Sequence, residues 1–274
     1  MEISYVVPTL NSVKTLEQTL LSLKSQNEID INIIVIDSGS KDGTLDICKK
    51  WQVKVLYCEP GNMYKAINIG LSECKTSWLA YLNSDDWLYP DATSRLLTLG
   101  ISQNAQIVYG NCDYTDFQGR FLYSFTPPKP QELISVVRGG NIGFAQQTTI
   151  FTKEIYEKLI GFNEEYRLAA DREFFVRALL ADAKFSFLPG PSVACFRLHK
   201  AQLSHTHFNE ITSEGKKIID FLSGNPNIYD RLIRLKWRAD NLPNYALRIL
   251  RQSILTRKIV FAKSKDSGSL TYDF

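Results

Sequence analysis

The sequence has few of the features that identify disulfide-bonded, zinc-stabilised or membrane-embedded proteins. Its five cysteines are scattered without CxxC spacing, which indicates free thiols in a reducing compartment and argues against a disulfide framework or a zinc site. No run of about 18 apolar residues occurs, so we predict no membrane span. The apolar residues 3–7 are ended by Pro8 and Asn11 without a cleavage region, so we expect no signal peptide.

A large excess of charge of one sign is also missing. The chain carries 32 Lys and Arg and 29 Asp and Glu, and its net charge of +3 is too small to predict nucleic-acid binding. The composition is that of a folded globular protein, with 44% apolar and 22% charged residues. A chain of 274 residues can bury a large core, as one domain or as one domain with an appendage.

One stretch, residues 77–90, combines a predicted buried strand with adjacent carboxylates. Its sequence is SWLAYLNSDDWLYP, in which an apolar run leads directly into Asp85 and Asp86. Adjacent carboxylates at the end of a buried strand repel each other and are costly to desolvate. A hard divalent cation such as Mg²⁺ or Mn²⁺, shared with substrate phosphates, would remove that cost. The alternative is an acidic turn that caps the next helix, with Pro90 in its first turn.

Strand and helix patterns alternate in the first part of the chain. The strand candidates are residues 3–7, 31–36, 53–58 and 78–82. Helix candidates separate them, the first with Ser12 as its cap, and this alternation predicts a mostly parallel α/β sheet. Ligands of such sheets bind beyond the carboxyl ends of the strands, and Asp37 and the Asp85–Asp86 pair both fall at that edge.

The pattern changes after about residue 105. Residues 113–125 predict a hairpin that turns near Gly119, and residues 148–151 predict a further strand. A helix begins near Ala169, which places Asp171 in its first turn. The helix dipole favours a carboxylate there, so simple capping is the alternative to a functional role for Asp171.

The chain is predicted to be helical and basic from about Asn209. Asp240 is the one acidic residue between positions 231 and 263. A basic amphipathic tail can lie on anionic lipid, and a solvated basic face on packed helices is the alternative. The basic residues are Arg231, Arg234, Lys236, Arg238, Arg248, Arg251, Arg257, Lys258 and Lys263.

Several short motifs, each weak alone, become specific through their order. They are PTLN at residues 8–11, VIDSGSKDGT at 35–44, MYKAINIG at 63–70, LNSDD at 82–86 and ADRE at 170–173. This order resembles the family 2 inverting glycosyltransferases, which have the GT-A fold, and covers roughly residues 1–205. The resemblance is closest to bacterial transferases that build capsule, exopolysaccharide or O-antigen repeat units.

The resemblance implies a GT-A type α/β fold, with a mostly parallel central sheet flanked by helices. Residues 1–205 would form the glycosyltransferase domain, with a nucleotide-binding half at 1–105 and an acceptor half at 106–205. Residues 206–274 would form a helical C-terminal extension.

The same resemblance implies roles for individual residues. Asp171 would be the general base, Asp85 and Asp86 would hold Mn²⁺ or Mg²⁺, and His199 would reach the metal or the pyrophosphate. The residues expected to bind the nucleotide are Pro8, Thr9, Asn11, Asp37, Asn68, Ser84 and Asp85. Those expected beside the donor sugar or the acceptor are Tyr64, Trp87, Gln147 and Arg172, with packing as an equal alternative for Trp87.

The sequence departs from the family pattern at several positions near the expected donor sugar. Asn83 stands where the more acidic version of the metal motif has Asp. Asn62 lies in a loop that often carries acidic and basic residues, Lys65 stands where Asp is common, and Gln146 stands where relatives often have His. These departures affect the expected identity of the sugar more than the class of reaction.

The implied reaction moves a sugar, with inversion, from a nucleoside-diphosphate sugar to a hydroxyl. A UDP-sugar is the expected donor, and a hexosyl or N-acetylhexosaminyl group would pass to a saccharide or polyprenyl-linked acceptor in bacterial surface polysaccharide synthesis. We expect a cytoplasmic protein, with peripheral contact to the inner membrane through the basic helices and no nucleic-acid partner. Whether it forms a homo-oligomer is open.

Two other functional classes are open to a sequence of this kind. A non-catalytic sugar-nucleotide binding or scaffold protein would keep the fold without the chemistry. An NDP-sugar nucleotidyltransferase would need a Gly-rich loop with Arg and Lys after the first strand, and the PTLN segment at residues 8–11 is different.

Overall fold

The computed structural model describes residues 1–141, 143–199, 202–222 and 226–256, with the backbone alone at positions 204, 205, 252, 255 and 256. The strands are Glu2–Thr9 (β1), Asp30–Asp37 (β2), Lys54–Tyr57 (β3), Trp78–Tyr81 (β4), Trp87–Leu88 (β5), Ile107–Gly110 (β6), Cys112–Thr115 (β7), Phe121–Phe125 (β8), Thr149–Thr152 (β9), Phe185–Leu188 (β10) and Ala194–Arg197 (β11). The helices are Leu16–Lys24 (α1), Thr44–Lys50 (α2), Met63–Ser72 (α3), Ala92–Ser102 (α4), Pro130–Arg138 (α5), Lys153–Lys158 (α6), Ala170–Leu180 (α7), Leu203–Thr206 (α8), Phe208–Phe221 (α9), Ile228–Asp240 (α10) and Leu242–Thr256 (α11), with a 3₁₀ turn at Gln146–Thr148.

The central sheet has the strand order β10-β6-β9-β4-β1-β2-β3. Its pairs are parallel except those of β9, which runs antiparallel to both β4 and β6. Two apolar clusters pack on its opposite faces, so the inner strands are buried on both sides and read as continuous apolar runs. The predicted mostly parallel sheet flanked by helices is confirmed.

Strand β1 is longer than predicted, because it continues through Pro8 to Thr9. Pro8 pairs with Ile36 of β2, whereas β4, on the other side, has its last ladder pair between Val6 and Tyr81. Proline has no backbone N–H group, and at position 8 no hydrogen bond is lost, because the pairing with β4 has already ended. This extension carries Thr9 to the same edge of the sheet as Asp37.

Two predicted helix starts are wrong. Helix α1 begins at Leu16, so its N-cap position is Thr15 and not Ser12. The Ser12 hydroxyl contacts the Ser84 hydroxyl instead of a backbone amide at the start of the helix. Helix α4 begins at Ala92, and its N-cap residue is Asp91, whose backbone has a left-handed conformation. Neither carboxylate of the Asp85–Asp86 pair therefore caps this helix. The capping interpretation of the acidic turn is therefore excluded by the structure.

A second sheet, which the sequence did not predict as a unit, has the order β5-β11-β7-β8. The predicted hairpin forms its β7–β8 pair, and β11 runs parallel to β7 and antiparallel to β5. Strand β5 follows Asp86 directly in the chain. The second sheet consequently brings β11, and the residues just after it, to the acidic turn.

Helix α3 lies close against the central sheet because Gly70 faces it. A Cβ at Gly70 would lie 2.6 Å from Val6 Cγ1, which is far inside van der Waals contact. The close approach of α3 positions Tyr64, near its start, over the edge of the sheet.

The helical tail is present as predicted, and it packs on the other elements at several points. Helix α9 packs on α7, α10 on α5 and α11 on β8. Among the residues that the structure describes, no helix is long and apolar enough to cross a membrane. The basic positions beyond 256, which are Arg257, Lys258 and Lys263, lie outside the described residues.

Candidate active site

The loops after β1, β2 and β4 are joined by short hydrogen bonds at the carboxyl edge of the sheet. Thr9 Oγ1 donates to Asp37 Oδ1 at 3.2 Å, and the Asp37 Oδ2 atom accepts the amides of Gly39 and Ser40, each at 2.9 Å. The Asn11 amide donates to Ser40 Oγ at 2.8 Å. Asp37 therefore shapes the loop that follows β2 in addition to facing this edge.

The loop after β4 joins the same cluster through Ser84, whose hydroxyl lies 2.7 Å from that of Ser12. The structure thus brings together most of the residues predicted to bind the nucleotide, which are Pro8, Thr9, Asn11, Asp37, Ser84 and Asp85. Asn83 lies beside them with a buried Oδ1 atom that has no hydrogen-bond partner in the described part of the chain.

Asn68, the remaining predicted nucleotide-binding residue, has a different position and role. Its Oδ1 atom accepts Tyr156 Oη and the Phe162 amide, each at 3.0 Å, and its Nδ2 atom donates to the Phe162 carbonyl and to Glu164. The side-chain amide is therefore occupied in holding the loop after α6 against α3. The prediction for Asn68 is corrected to a structural one.

Asp85 and His199 form the accessible polar pair at the end of β4. The Asp85 Oδ2 and His199 Nε2 atoms are 2.8 Å apart, and their side chains are 24% and 18% exposed. Gln202 Oε1 accepts the His199 amide at 3.1 Å and thereby orders the turn that carries the imidazole. One carboxylate and one imidazole are ligands that a divalent cation accepts.

Asp86, predicted as the second metal ligand, points away from this pair and is completely buried. Its Oδ1 atom accepts the Arg197 amide at 3.0 Å, and its Oδ2 atom accepts Gln147 Nε2 at 3.1 Å. Burial, and then the nearby Asp85 charge, raise the pKa of Asp86 well above the usual range of a carboxyl. Both carboxylate oxygens of Asp86 therefore already accept hydrogen bonds that link the two sheets, and its predicted role as a metal ligand stays a prediction.

The same contact corrects the prediction for Gln147, which is 7% exposed and serves Asp86 instead of a substrate. The Trp87 ring packs under the Arg197 guanidinium, with 4.8 Å between Arg197 Cζ and the ring centroid. This contact agrees with a packing role for Trp87, the alternative to a contact with the donor sugar. Arg197 also donates from Nε to the Asp85 carbonyl at 2.8 Å. Arg197 and Trp87 thus support the backbone of the Asp85 turn from β11 and β5.

Asp171 occupies the first turn of α7, as predicted, but it does not act as a helix cap. Its Oδ1 atom accepts Tyr64 Oη at 2.9 Å and the Arg172 amide at 2.7 Å. Burial raises the pKa of Asp171 above the ordinary value for a carboxyl, and the bonds from Arg172 and Tyr64 partly oppose that rise. A carboxylate with a raised pKa, held by a rigid phenol, has the properties of a general base.

Tyr64 was expected beside the donor sugar, and in the structure it is buried behind Asp171. It is 1% exposed, and its ring packs against Tyr81 and Phe162. Its hydroxyl holds Asp171 instead of facing open space. The predicted substrate contact is therefore corrected to the positioning of the base.

Two side chains near Asp171 make contacts that the sequence analysis did not predict. Glu214 on α9 accepts the amides of Arg167, Leu168 and Ala169 at 2.9–3.0 Å, immediately before α7 begins. Gln146 lines the cavity at Asp171 and donates to the carbonyl of Tyr81. No local signal marks Glu214, because its partners precede it by about 45 residues.

Arg172 lies in this cavity as well, and its predicted place near the substrates stays a prediction. The cavity is small and opens to the surface, and it is lined by Val137, Gly143, Phe144, Gln146, Asp171, Arg172, Phe175, Val176 and Leu179. Burial lowers the pKa of the Arg172 guanidinium, and the Asp171 charge opposes that change. The Asp171 carboxyl group and the Arg172 guanidinium thus share one largely apolar cavity.

Known proteins resemble this chain in both sequence and fold. The family model described as glycosyl transferase family 2 matches residues 4–160. An uncharacterized glycosyltransferase of Haemophilus influenzae is 27% identical over 214 residues, which are 75% of this chain and 83% of that protein. The succinoglycan biosynthesis protein ExoO of Rhizobium meliloti is 24% identical over 206 residues, and the match spans 69% of this chain and 58% of that protein.

Solved structures with a similar fold include two nucleotide-sugar complexes. S. aureus TarS 1-349 in complex with UDP-GlcNAc matches with a TM-score of 0.65 and 20% identity, over 95% of this chain and 82% of that chain. The mannosyltransferase PcManGT from Pyrobaculum calidifontis, in complex with GDP-Man and Mn²⁺, matches with a TM-score of 0.60 and 15% identity, over 93% and 74%. At these identities the two structures establish the expected fold.

Proposed function

Because the chain belongs to glycosyl transferase family 2, we propose that it transfers a sugar, with inversion, from a nucleoside-diphosphate sugar to an acceptor hydroxyl with the help of a divalent cation. The observation that carries this proposal is the pairing of two sites. Asp85 and His199 lie together at the carboxyl end of β4, and Asp171, with a raised pKa, lies in a cavity at the start of α7.

The joined loops after β1, β2 and β4 are proposed to hold the nucleotide. Thr9, Asp37 and Ser84 offer hydroxyl and carboxylate groups at the sheet edge where α/β sheets bind ligands. The buried Oδ1 atom of Asn83, without a partner among the described residues, needs a donor such as a ribose hydroxyl. UDP is the first base to test because the TarS structure holds UDP-GlcNAc, and GDP is the second because PcManGT holds GDP-Man.

The proposed cation would be held by Asp85 and His199. No group of three or more His, Cys, Asp or Glu side chains that could hold a metal occurs in the described part of the chain. The pair is sufficient for Mg²⁺ or Mn²⁺, since these ions are commonly bound by few protein groups together with substrate phosphates. A cation bound there would stabilise the negative charge of the departing diphosphate.

Asp171 is proposed to accept the proton of the attacking hydroxyl. Its carboxylate oxygen Oδ1 is held by Tyr64 and by the Arg172 amide, so the side chain is oriented before an acceptor arrives. The largely apolar lining of the cavity desolvates the carboxylate, and this burial raises the pKa of Asp171. Attack from the side opposite the diphosphate inverts the anomeric centre, and the anomeric configuration of the product tests this directly.

The proposal is tested by calorimetric titration of UDP and GDP into the protein with Mn²⁺ or with chelator. We expect metal-dependent binding of one nucleotide, and we expect Asp85→Asn to weaken it by about tenfold or more because a charged ligand is lost. Asp86→Asn is the matched control one residue away, and it should leave metal-dependent binding within about twofold.

Three results would contradict parts of this proposal. Absence of nucleotide binding under all conditions would favour a non-catalytic scaffold protein. Loss of metal-dependent binding in Asp86→Asn, with a folded protein by circular dichroism, would return Asp86 to the metal site. Binding that chelator leaves unchanged would remove the cation from the proposal.

We also propose that α10 lies on an anionic membrane surface, where a lipid-linked acceptor would be presented. Ile228, Leu232 and Leu235 are 78%, 59% and 60% exposed and share the helix face opposite the buried Trp237. Arg231, Arg238 and Lys236 flank this apolar stripe. Apolar side chains between exposed cations are typical of helices that bind anionic lipid headgroups.

A further inference from the structure

Two nitrogens of the partly buried Arg172 guanidinium lack a hydrogen-bond partner among the described residues, although the Asp171 charge lies nearby. The Arg172 Nε and Nη2 atoms are buried and make no hydrogen bond in the part of the chain that the structure describes. Asp171 bonds the Arg172 backbone amide, not the guanidinium. Buried charged groups are normally paired, so the guanidinium is expected to meet an anion that arrives with a ligand.

The guanidinium lies where an anionic group from solvent can approach it. Arg172 and Asp171 line the same small cavity, which opens to the surface. On the other side, Gly215 of α9 faces the guanidinium, and a Cβ there would lie 2.9 Å from Arg172 Nη1. Helix α9 therefore approaches the guanidinium closely at position 215, where a side chain would force the guanidinium to shift.

We propose that Arg172 binds an anionic group of the acceptor, a phosphate or a carboxylate, and that the acceptor is therefore an acidic saccharide. The proposal rests on the proposed function, because the acceptor hydroxyl must reach Asp171 and so must enter the cavity that Arg172 lines. The planar guanidinium presents paired N–H groups that match both anions.

Charge balance in the cavity supports this assignment. A second negative charge next to Asp171 would be repelled by the carboxylate, and only a nearby cation makes its entry favourable. A neutral saccharide could accept hydrogen bonds from the buried guanidinium nitrogens through its hydroxyl oxygens, but it would leave the positive charge without an anion. The donor diphosphate is assigned to Asp85 and His199 at the end of β4, so the anion at Arg172 is a different one.

The test uses the full chain saturated with UDP and Mg²⁺, so that the donor site is occupied. Glucose 1-phosphate, glucuronate and glucose are titrated in turn into wild type, Arg172→Gln and Arg172→Lys. We expect wild type to bind one of the two anionic sugars at least about tenfold more tightly than glucose. Arg172→Gln should lose that preference, and Arg172→Lys should retain part of it because the charge remains.

The outcomes separate this inference from the proposed function. If UDP does not bind, GDP takes its place in the same titrations, and failure of both nucleotides to bind overturns both proposals. With UDP bound, equal affinity for glucose and both anions, or equal anion affinity in wild type and Arg172→Gln, overturns the acidic acceptor alone. Anion binding that occurs without UDP but disappears once UDP is bound would assign Arg172 to the donor diphosphate and would also overturn it.

Discussion

At the scale of single residues, the proposed chemistry depends on the ionisation of Asp171. Burial raises its pKa, so we expect kcat/KM to fall on the acid side at a higher pH than for an exposed carboxylate. Tyr64 donates a hydrogen bond that favours the ionised form. Tyr64→Phe should therefore move this acid limb to still higher pH, and a pH profile of kcat/KM measures the shift.

A matched control for this prediction is Tyr156→Phe. Tyr156 also bonds through its hydroxyl, but to Asn68 instead of the base, so its removal should leave the acid limb in place. Asp171→Asn is the limiting case, with transfer lowered by about 10² to 10⁴ and UDP binding retained. An acid limb that stays where it is in Tyr64→Phe, or moves to lower pH, would separate Tyr64 from the base.

Single residues are also where the sequence was least informative. Asp85 and Asp86 are adjacent and chemically identical, and their roles differ because the Arg197 amide, 111 positions later, binds Asp86. That contact depends on how β11 joins the second sheet, which no local pattern reveals. The strands of the central sheet, in contrast, were predictable, because burial on both faces makes them apolar runs.

At the scale of elements, helix α9 connects the predicted acceptor half to the C-terminal extension. Its Glu214 carboxylate accepts three backbone amides just before α7, and so holds the segment that carries Asp171. Hydrogen bonds to a charged group contribute roughly 1.5–3 kcal/mol each, with strong overlap among them. We expect Glu214→Ala to lower the melting temperature and to lower kcat by about tenfold, since small displacements of a base are costly.

Glu210→Ala is the control for this prediction. Glu210 lies on the same helix, is more than half exposed and pairs with His207 at the surface. Its removal should change neither melting temperature nor kcat appreciably. If Glu214→Ala were destabilised but kept the wild-type kcat at a temperature where it is folded, Glu214 would serve the fold alone.

Contacts of helix α9 cross the domain boundary that was predicted near residue 205. Gly215 and Glu214, beyond that boundary, contact Arg172 and the segment before α7, which lie within the predicted glycosyltransferase domain. Residues 206–222 are therefore proposed as part of the catalytic unit, with a separate extension starting no earlier than α10. The sequence pointed to residue 205 because the recognised motifs end there.

At the scale of the whole molecule, the exposed stripe of α10 raises the question of where transfer takes place. A stripe formed by Ile228, Leu232 and Leu235 is unusual on a free surface, and the flanking cations would each add about 1 kcal/mol on an anionic bilayer. We expect the full chain to sediment with vesicles that contain phosphatidylglycerol and to remain in solution with phosphatidylcholine alone. Binding should weaken as salt is raised, because the electrostatic part is screened.

The double variant Leu232→Glu with Leu235→Glu tests the stripe itself. It should lower vesicle binding by about tenfold or more, because apolar area is lost and negative charge is added beside an anionic surface. Leu21→Glu with Ile101→Glu is the matched control, since these side chains are 53% and 55% exposed on α1 and α4, away from the basic helix. Equal vesicle binding by both double variants would leave α10 as a solvated face, whereas loss confined to the α10 variant, with UDP affinity unchanged, would locate the membrane contact on that helix.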